Sequence, residues 1–167
     1  MTGTEYANLV AFYLSRRFGS RGLKVYREVR IGKTIIGKDR CVDVFCHCES
    51  SNKAFAIECK YQDSQGTVDE KIPYALEDLR ALPVRACIAY AGTGFSQGVL
   101  HLLRASSHAA YCLPAAHQSD STVATRELDH VLAPHFEWWD VLIDRKRPVH
   151  PAGEPRSLLT PAPFDIA

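Results

Sequence analysis

A mixed β-sheet flanked by α-helices, an α/β domain, is the fold class the sequence predicts, and three observations predict it. Alternating apolar and polar segments occur three times in close succession between Leu23 and Tyr61, separated by short polar turns. Apolar residues at helical spacing precede them, at Leu9, Val10, Phe12, Tyr13 and Leu14. After them the pattern becomes strand, helix, strand, which adds to a meander rather than extending it.

The elements follow in order. Thr4 to Phe18 reads as a first helix, with Thr4 as cap and Gly19 as stop. Leu23 to Ile31 reads as a strand, Gly32 to Asp39 as a basic turn, and Arg40 to Cys48 as a second strand. The polar run Glu49 to Asn52 is a turn, and Lys53 to Tyr61 is a third strand. Thr67 and Glu70 have the spacing of a capping box, but Pro73 disfavours helical geometry at Ile72. The spacing therefore predicts a brief turn and then a helix from Pro73 to Leu82. Ala86 to Ala91 reads as a strand, Ser96 to Ala105 as a helix capped by Ser96, and Ala109 to Leu113 as a strand. A polar loop from Ala115 to Thr125 leads to helices at Arg126 to Val131 and Phe136 to Ile143. Five prolines between Pro148 and Pro163 mark an extended tail, so residues 1–147 form the expected domain and 148–167 the tail.

Length suits one domain able to bury its own core. No apolar run approaches the roughly 20 residues of a bilayer span, and no basic-then-apolar leader opens the chain, so the expected location is the cytoplasm and no membrane is an expected partner. The six cysteines lie in or beside apolar strands and read as small buried hydrophobes. Cys46-His47-Cys48 lacks the paired spacing of a structural zinc site, and alternation sends His47 to the face opposite both thiols. Gly92-Thr93-Gly94-Phe95-Ser96-Gln97-Gly98 has Gln97 where a dinucleotide fingerprint needs its third glycine, so it reads as a strand-to-helix turn and no nucleotide cofactor is expected.

Charge is unevenly distributed. Nine Lys or Arg against three acids lie between Met1 and Arg40, while the remainder is acidic overall. Arg16, Arg17, Lys33, Lys38 and Arg40 are the candidate contacts to a nucleic-acid backbone.

The informative stretch is Arg40 to Gln62. Alternation puts Ile57, Cys59 and Tyr61 on one face of the third strand and Ala56, Glu58, Lys60 and Gln62 on the other. If Cys48 faces Lys53 across the turn, Asp43 falls opposite Glu58, with β-carbons about 4.5–5.5 Å apart. Two carboxylates so placed repel unless a cation lies between them. Magnesium takes oxygen ligands, keeps several waters and promotes phosphodiester hydrolysis, and Lys60 stands one alternation step away to stabilise the transition state.

Asp43 followed by Glu58-Cys59-Lys60 resembles the PD-(D/E)XK nuclease superfamily, which includes restriction endonucleases, Holliday-junction resolvases and repair nucleases. The resemblance runs from about Glu5 to Leu113 and implies a restriction-endonuclease-like fold. It implies magnesium, with manganese as a substitute, held by Asp43, Glu58 and the Cys59 carbonyl, with Lys60 as catalytic lysine. Glu5 matches a position where many members carry a further acid, with Glu28 as its rival, and Gln62 resembles a polar residue that follows the lysine in others. Val42, not proline, precedes Asp43. The expected activity is hydrolysis of DNA, most simply as a restriction-type endonuclease. The alternatives are a structure-specific or repair nuclease, or a nucleic-acid-binding module without catalysis. A glycosidase with two carboxylates would leave Lys60 without a role. A homodimer through Phe136, Trp138, Trp139, Val141 and Leu142 is a further expectation.

Overall fold

The structure, a computed structural model, describes residues 1–64 and 68–149. Helix α1 spans Gly3–Phe18 and buries Tyr6, Val10, Tyr13, Leu14 and Phe18 on one side. The stripe follows the helical repeat, so one face of α1 can dock on a sheet. Its cap is Thr2 rather than Thr4: Thr2 Oγ1 accepts the Glu5 N–H and Glu5 Oε2 accepts the Thr2 N–H, a reciprocal capping box. A 3₁₀ turn at Gly19–Arg21 follows, and the chain leaves it through Gly22.

Strands β1 (Leu23–Lys33), β2 (Asp39–Cys48) and β3 (Lys53–Tyr61) form the antiparallel meander, and β4 (Arg85–Ala91) and β5 (Ala109–Tyr111) join in parallel, in spatial order β1-β2-β3-β4-β5. Parallel neighbours need a crossover. Helix α2 (Val68–Arg80) supplies it between β3 and β4, and α3 (Gln97–Ala105) between β4 and β5. Helices α4 (Arg126–Phe136) and α5 (Trp139–Ile143) close the domain. No helix of the described residues is long and apolar enough to cross a membrane.

One apolar layer lies between α1, α4 and the sheet, with Val44, Cys46, Ile57, Cys59, Cys87 and Ala89 facing it. The other lies between α2, α3 and the opposite sheet face, with Val42, Ala56, Ile88 and Tyr90. Burial on both faces explains why β4 is apolar at nearly every position.

Two helices differ from the sequence expectation. Helix α2 begins at Val68, not Pro73, and holds Pro73 in its second turn. Ile72, Leu76 and Leu79 lie on one stripe and are buried on the sheet, and this docking outweighs the missing N–H of an exposed proline. Thr67, half of the expected capping box, lies outside the described residues, as does nearly all of the expected tail. Helix α4 runs on through Pro134 to Phe136, carried by buried Leu128, Leu132, Ala133 and Phe136.

Trp138 is buried, stacked on Phe18 at 4.6 Å and on Phe136 at 4.8 Å between ring centroids. These rings belong to the chain's own core, and Trp139 and Ile143 remain exposed. Five of the six thiols are buried as expected, but Cys41 is exposed.

Candidate active site

The β2–β3 register is the one the turn predicts, from Cys48↔Lys53 to Val44↔Ile57. One step further, at Asp43, the regular pattern breaks. Val42 and Val44 are two residues apart and should share a face, yet Val42 packs on the α2 side and Val44 on the α1 side. In the neighbouring strand Glu28, flanked by the pairs Arg27↔Val44 and Val29↔Val42, has φ +54°. Val25 and Val29 likewise pack on opposite faces. Strands β1 and β2 therefore change face together at Glu28 and Asp43.

This break gives Asp43 its position. Its Oδ2 accepts the Cys59 N–H at 2.8 Å, so a side chain takes a donor of β3 beyond the last backbone pair with β2. Arg27 Nε donates to the Asp43 carbonyl at 2.6 Å and fixes the strand from the other side. The N–H and C=O of one strand residue point to the same edge, so the Cys59 carbonyl also faces the gap between β2 and β3.

Glu58 and Lys60 sit on the α2 face of β3, and Lys60 Nζ donates to Glu58 Oε1 at 2.6 Å. Both are mostly buried. Burial pushes the Glu58 carboxyl above the ordinary carboxylate range; Lys60 opposes the shift and the nearby Asp43 charge reinforces it. Glu58 Oε2 and Asp43 Oδ1 accept no hydrogen bond among the described residues, so each carboxylate keeps one oxygen for another partner.

Glu58 and Lys60 open into a cleft of about 530 Å³ between the β1–β2 hairpin and α2. Lys71, Tyr74 and Asp78 line its helical wall at the three- and four-residue spacing of one helix face. Opposite them stand Thr34, Asp39 and Arg40. Arg40 is buried and grips Asp78, with Nε donating to Oδ2 at 2.9 Å and Nη2 to Oδ1 at 2.6 Å and to the carbonyl at 2.9 Å. The Asp78 carboxyl is partly buried, which raises its pKa, but the Arg40 bonds and the Ile35 N–H outweigh this and hold it below the usual range. The pair joins hairpin to helix.

Other sequence-selected residues take different places. Gln62 is buried and does not line the cleft, donating to Asp69 at 3.1 Å and to the Gly94 carbonyl at 2.8 Å. It thereby ties the end of β3 to α2 and to the strand-to-helix turn of residues 92–96. The two glycines of that turn are required by close approach: a Cβ on Gly92, at φ +109°, would lie 2.1 Å from the Gln62 carbonyl oxygen, and one on Gly94 2.5 Å from Ser64. Glu5 is exposed, occupied in capping α1 and not part of the cleft wall; Glu28 is exposed on β1.

The five selected cations do not make one face. Arg16 and Arg17 belong to α1, on the far side of the sheet from the cleft, where Arg16 lies over Phe12 and Arg17 over Phe18. Lys33 pairs with Asp39 and Lys38 is exposed, both beside the hairpin turn. Arg40 is spent on Asp78. Sequence reasoning missed Lys71, Tyr74 and Asp78; their shared helix face was the available signal, and the late start assigned to α2 left Lys71 outside the helix.

Among the described residues no group of three or more His, Cys, Asp or Glu side chains forms a metal cage. Cys46 and Cys48 are buried, and His47 Nε2 lies 3.2 Å from Asn52 Oδ1. The donor set at Asp43, Glu58 and the Cys59 carbonyl is all oxygen, suited to a hard cation that retains waters rather than to zinc.

A solved structure of a protein of unknown function, AF1548, aligns at 13% identity and TM-score 0.40, covering 59% of this chain and 53% of its own. A repair endonuclease from Pyrococcus abyssi aligns at 20% identity and TM-score 0.36, covering 62% of this chain and 43% of its own. The chain thus spans about half the length of each. No curated protein matches the sequence. The family model described as the PD-(D/E)XK nuclease superfamily domain matches residues 2–139, nearly the whole described domain, and includes Asp43, Glu58 and Lys60. The chain belongs to the PD-(D/E)XK nuclease superfamily.

Proposed function

We propose that the chain hydrolyses DNA phosphodiester bonds with magnesium held by Asp43, Glu58 and the Cys59 carbonyl. The observation that carries this reading is the coupled arrangement of Lys60 on Glu58 Oε1 and Asp43 on the Cys59 N–H, each carboxylate keeping an oxygen free. These oxygens would hold magnesium, which when bound would supply charge neutralisation at the scissile phosphate and a more acidic water; manganese shares its preference for oxygen. Glu58 must ionise to hold a cation, and its burial makes that costly without one. Lys60 then exchanges part of its bond to Glu58 for the phosphate, stabilising charge in the transition state. Lys71 and Lys38 are the exposed cations best placed along the cleft and hairpin for backbone contacts.

Within this activity a structure-specific or repair role is favoured over palindrome cutting by a two-fold dimer. Phe136 and Trp138, expected at a dimer interface, lie in the chain's own core, leaving Trp139 and Ile143 as the exposed apolar residues of that region. Incubating the purified chain with supercoiled plasmid, nicked duplex and branched DNA, with and without magnesium, tests both levels. Magnesium-dependent cutting supports the nuclease reading, and preference for branched or nicked substrates by a monomer supports the role. Paired cuts at a fixed palindrome by a stable dimer would restore the restriction-type reading, and tight DNA binding without cleavage would favour a binding module.

A further inference from the structure

A strongly cationic concavity lies away from the cleft, on the α1 and α4 side of the sheet, and shares no lining residue with it. It encloses about 670 Å³ between the end of α1, α4, α5 and the residues after α5. Arg17, Arg21, Arg126, His130, Arg145 and Lys146 line it. Asp140 and Asp144 are its acidic lining residues, and Asp140 is already held by both terminal nitrogens of Arg21.

Three observations make this more than a solvated basic patch. First, Arg17 hydrogen-bonds to no acceptor among the described residues: its Nε is buried and unpartnered, and Asp129, at 4.0 Å, already accepts the Tyr13 hydroxyl at 2.8 and 2.9 Å. Second, two guanidiniums of the wall lie over aromatic rings, Arg17 at 5.3 Å from Phe18 and Arg21 at 5.7 Å from Trp138, contacts that favour one placement of each side chain before a ligand arrives. Third, Asp144 and Arg145 adopt φ +41° and +62° in succession, a costly backbone for two non-glycine residues, and this turn brings Arg145 and Lys146 to the rim. Arg126, Arg145 and Lys146 form no ion pair among the described residues.

We propose that this pocket is a second, non-catalytic site that binds a phosphate group. Guanidinium N–H donors match phosphate oxygens, and those of Arg17, Arg126 and Arg145 hydrogen-bond to no acceptor among the described residues, while the volume suits a ligand of nucleotide size. The group it takes is the phosphate of a free mononucleotide or of a nucleic-acid strand end. It lies on the face of the sheet opposite Glu58 and Lys60, so it engages a phosphate other than the one being cut.

Of the chain's two tryptophans, Trp138 lies 5.7 Å from the guanidinium of the lining residue Arg21 and Trp139 directly precedes the lining residue Asp140, and neither lines the cleft, so their fluorescence is the reporter for this pocket. Metal-free protein is titrated with inorganic phosphate, thymidine 5′-phosphate, and a short oligonucleotide with and without a 5′-phosphate. A saturable, phosphate-dependent change is expected. Affinity should fall about tenfold or more in the Arg126→Glu/Lys146→Glu double variant, because charged hydrogen bonds are lost. It should be unchanged in Glu58→Gln and in Lys24→Glu, a charge reversal on β1. A mononucleotide that binds as tightly as the phosphorylated strand identifies a free ligand, and a markedly tighter phosphorylated strand identifies a strand end. Either result supports the site. No saturable change with any probe, or equal affinity in the double variant, overturns it.

Discussion

Removing the Asp78 carboxylate should unfold the wall of the cleft proposed as the active site. Arg40 is 5% exposed and Asp78 14%, and their three bonds at 2.6 to 2.9 Å join β2 to α2. In Asp78→Ala the guanidinium stays buried with only the residue-78 carbonyl as acceptor, and Ile35 loses the oxygen that anchors the hairpin. Breaking a buried pair from one side costs about 3–5 kcal/mol. In a domain of this size that corresponds to a fall of roughly 6–20 °C in Tm. Replacing both partners, as Arg40→Met/Asp78→Leu, removes the stranded charge and should restore much of the loss. Circular dichroism during thermal and urea unfolding measures all three proteins. The pair should also weaken in acid: the Asp78 pKa is held below its usual 3.8, so its contribution is present above that value and is lost as pH falls through the lower folded value. A loss under about 1 kcal/mol in Asp78→Ala would mean that Arg40 is adequately solvated. The pair would then be no clamp, and Arg40 would return to the set of possible phosphate contacts.

Glu58→Gln should abolish cleavage while keeping the fold. The Glu58 pKa is raised above its usual 4.5, so its favourable linkage is complete below that value and is lost as pH rises through the folded value. The variant should therefore gain stability relative to the parent between acid and neutral pH, read from urea midpoints; a constant difference would remove the argument from burial. Lys60→Ala should lower kcat by about 10²-fold or more with DNA affinity little changed, since its work is on the transition state. Equal losses in rate and binding would make Lys60 a plain phosphate contact. Gly92→Ala should be strongly destabilising, with backbone strain alone of order 1–3 kcal/mol and a Cβ 2.1 Å from the Gln62 carbonyl oxygen in addition. Parent-like unfolding would show that this turn relaxes.

Much of the site was legible because its information is local. The four-residue turn at Glu49 to Asn52 set the β2–β3 register, and alternation along β3 separated Glu58 and Lys60 from Ile57 and Cys59. Alternation failed at Asp43, where β2 changes face. That break depends on the backbone of Glu28 in another strand, and no pattern within β2 announces it. Pro73 misled the reading of α2 because local propensity says nothing of the sheet that Ile72, Leu76 and Leu79 bury against. Arg40 looked like a phosphate contact for a similar reason, as its partner lies 38 residues away on that helix. Gln62 directly follows the strand that carries Glu58 and Lys60, but its work is to hold the turn at Gly92 and Gly94, and that follows only from β4 lying beside β3.

Glu58 is proposed to act through a bound cation. The decisive measurement is plasmid nicking by the parent and Glu58→Gln across a magnesium titration, with calorimetric magnesium binding to both proteins. The parent should nick DNA only with magnesium or manganese, and Glu58→Gln should lose both cleavage and measurable metal binding while unfolding cooperatively. Cleavage by the parent in chelator, or full activity in a folded Glu58→Gln, would contradict the assignment of this cleft as a metal-dependent nuclease site.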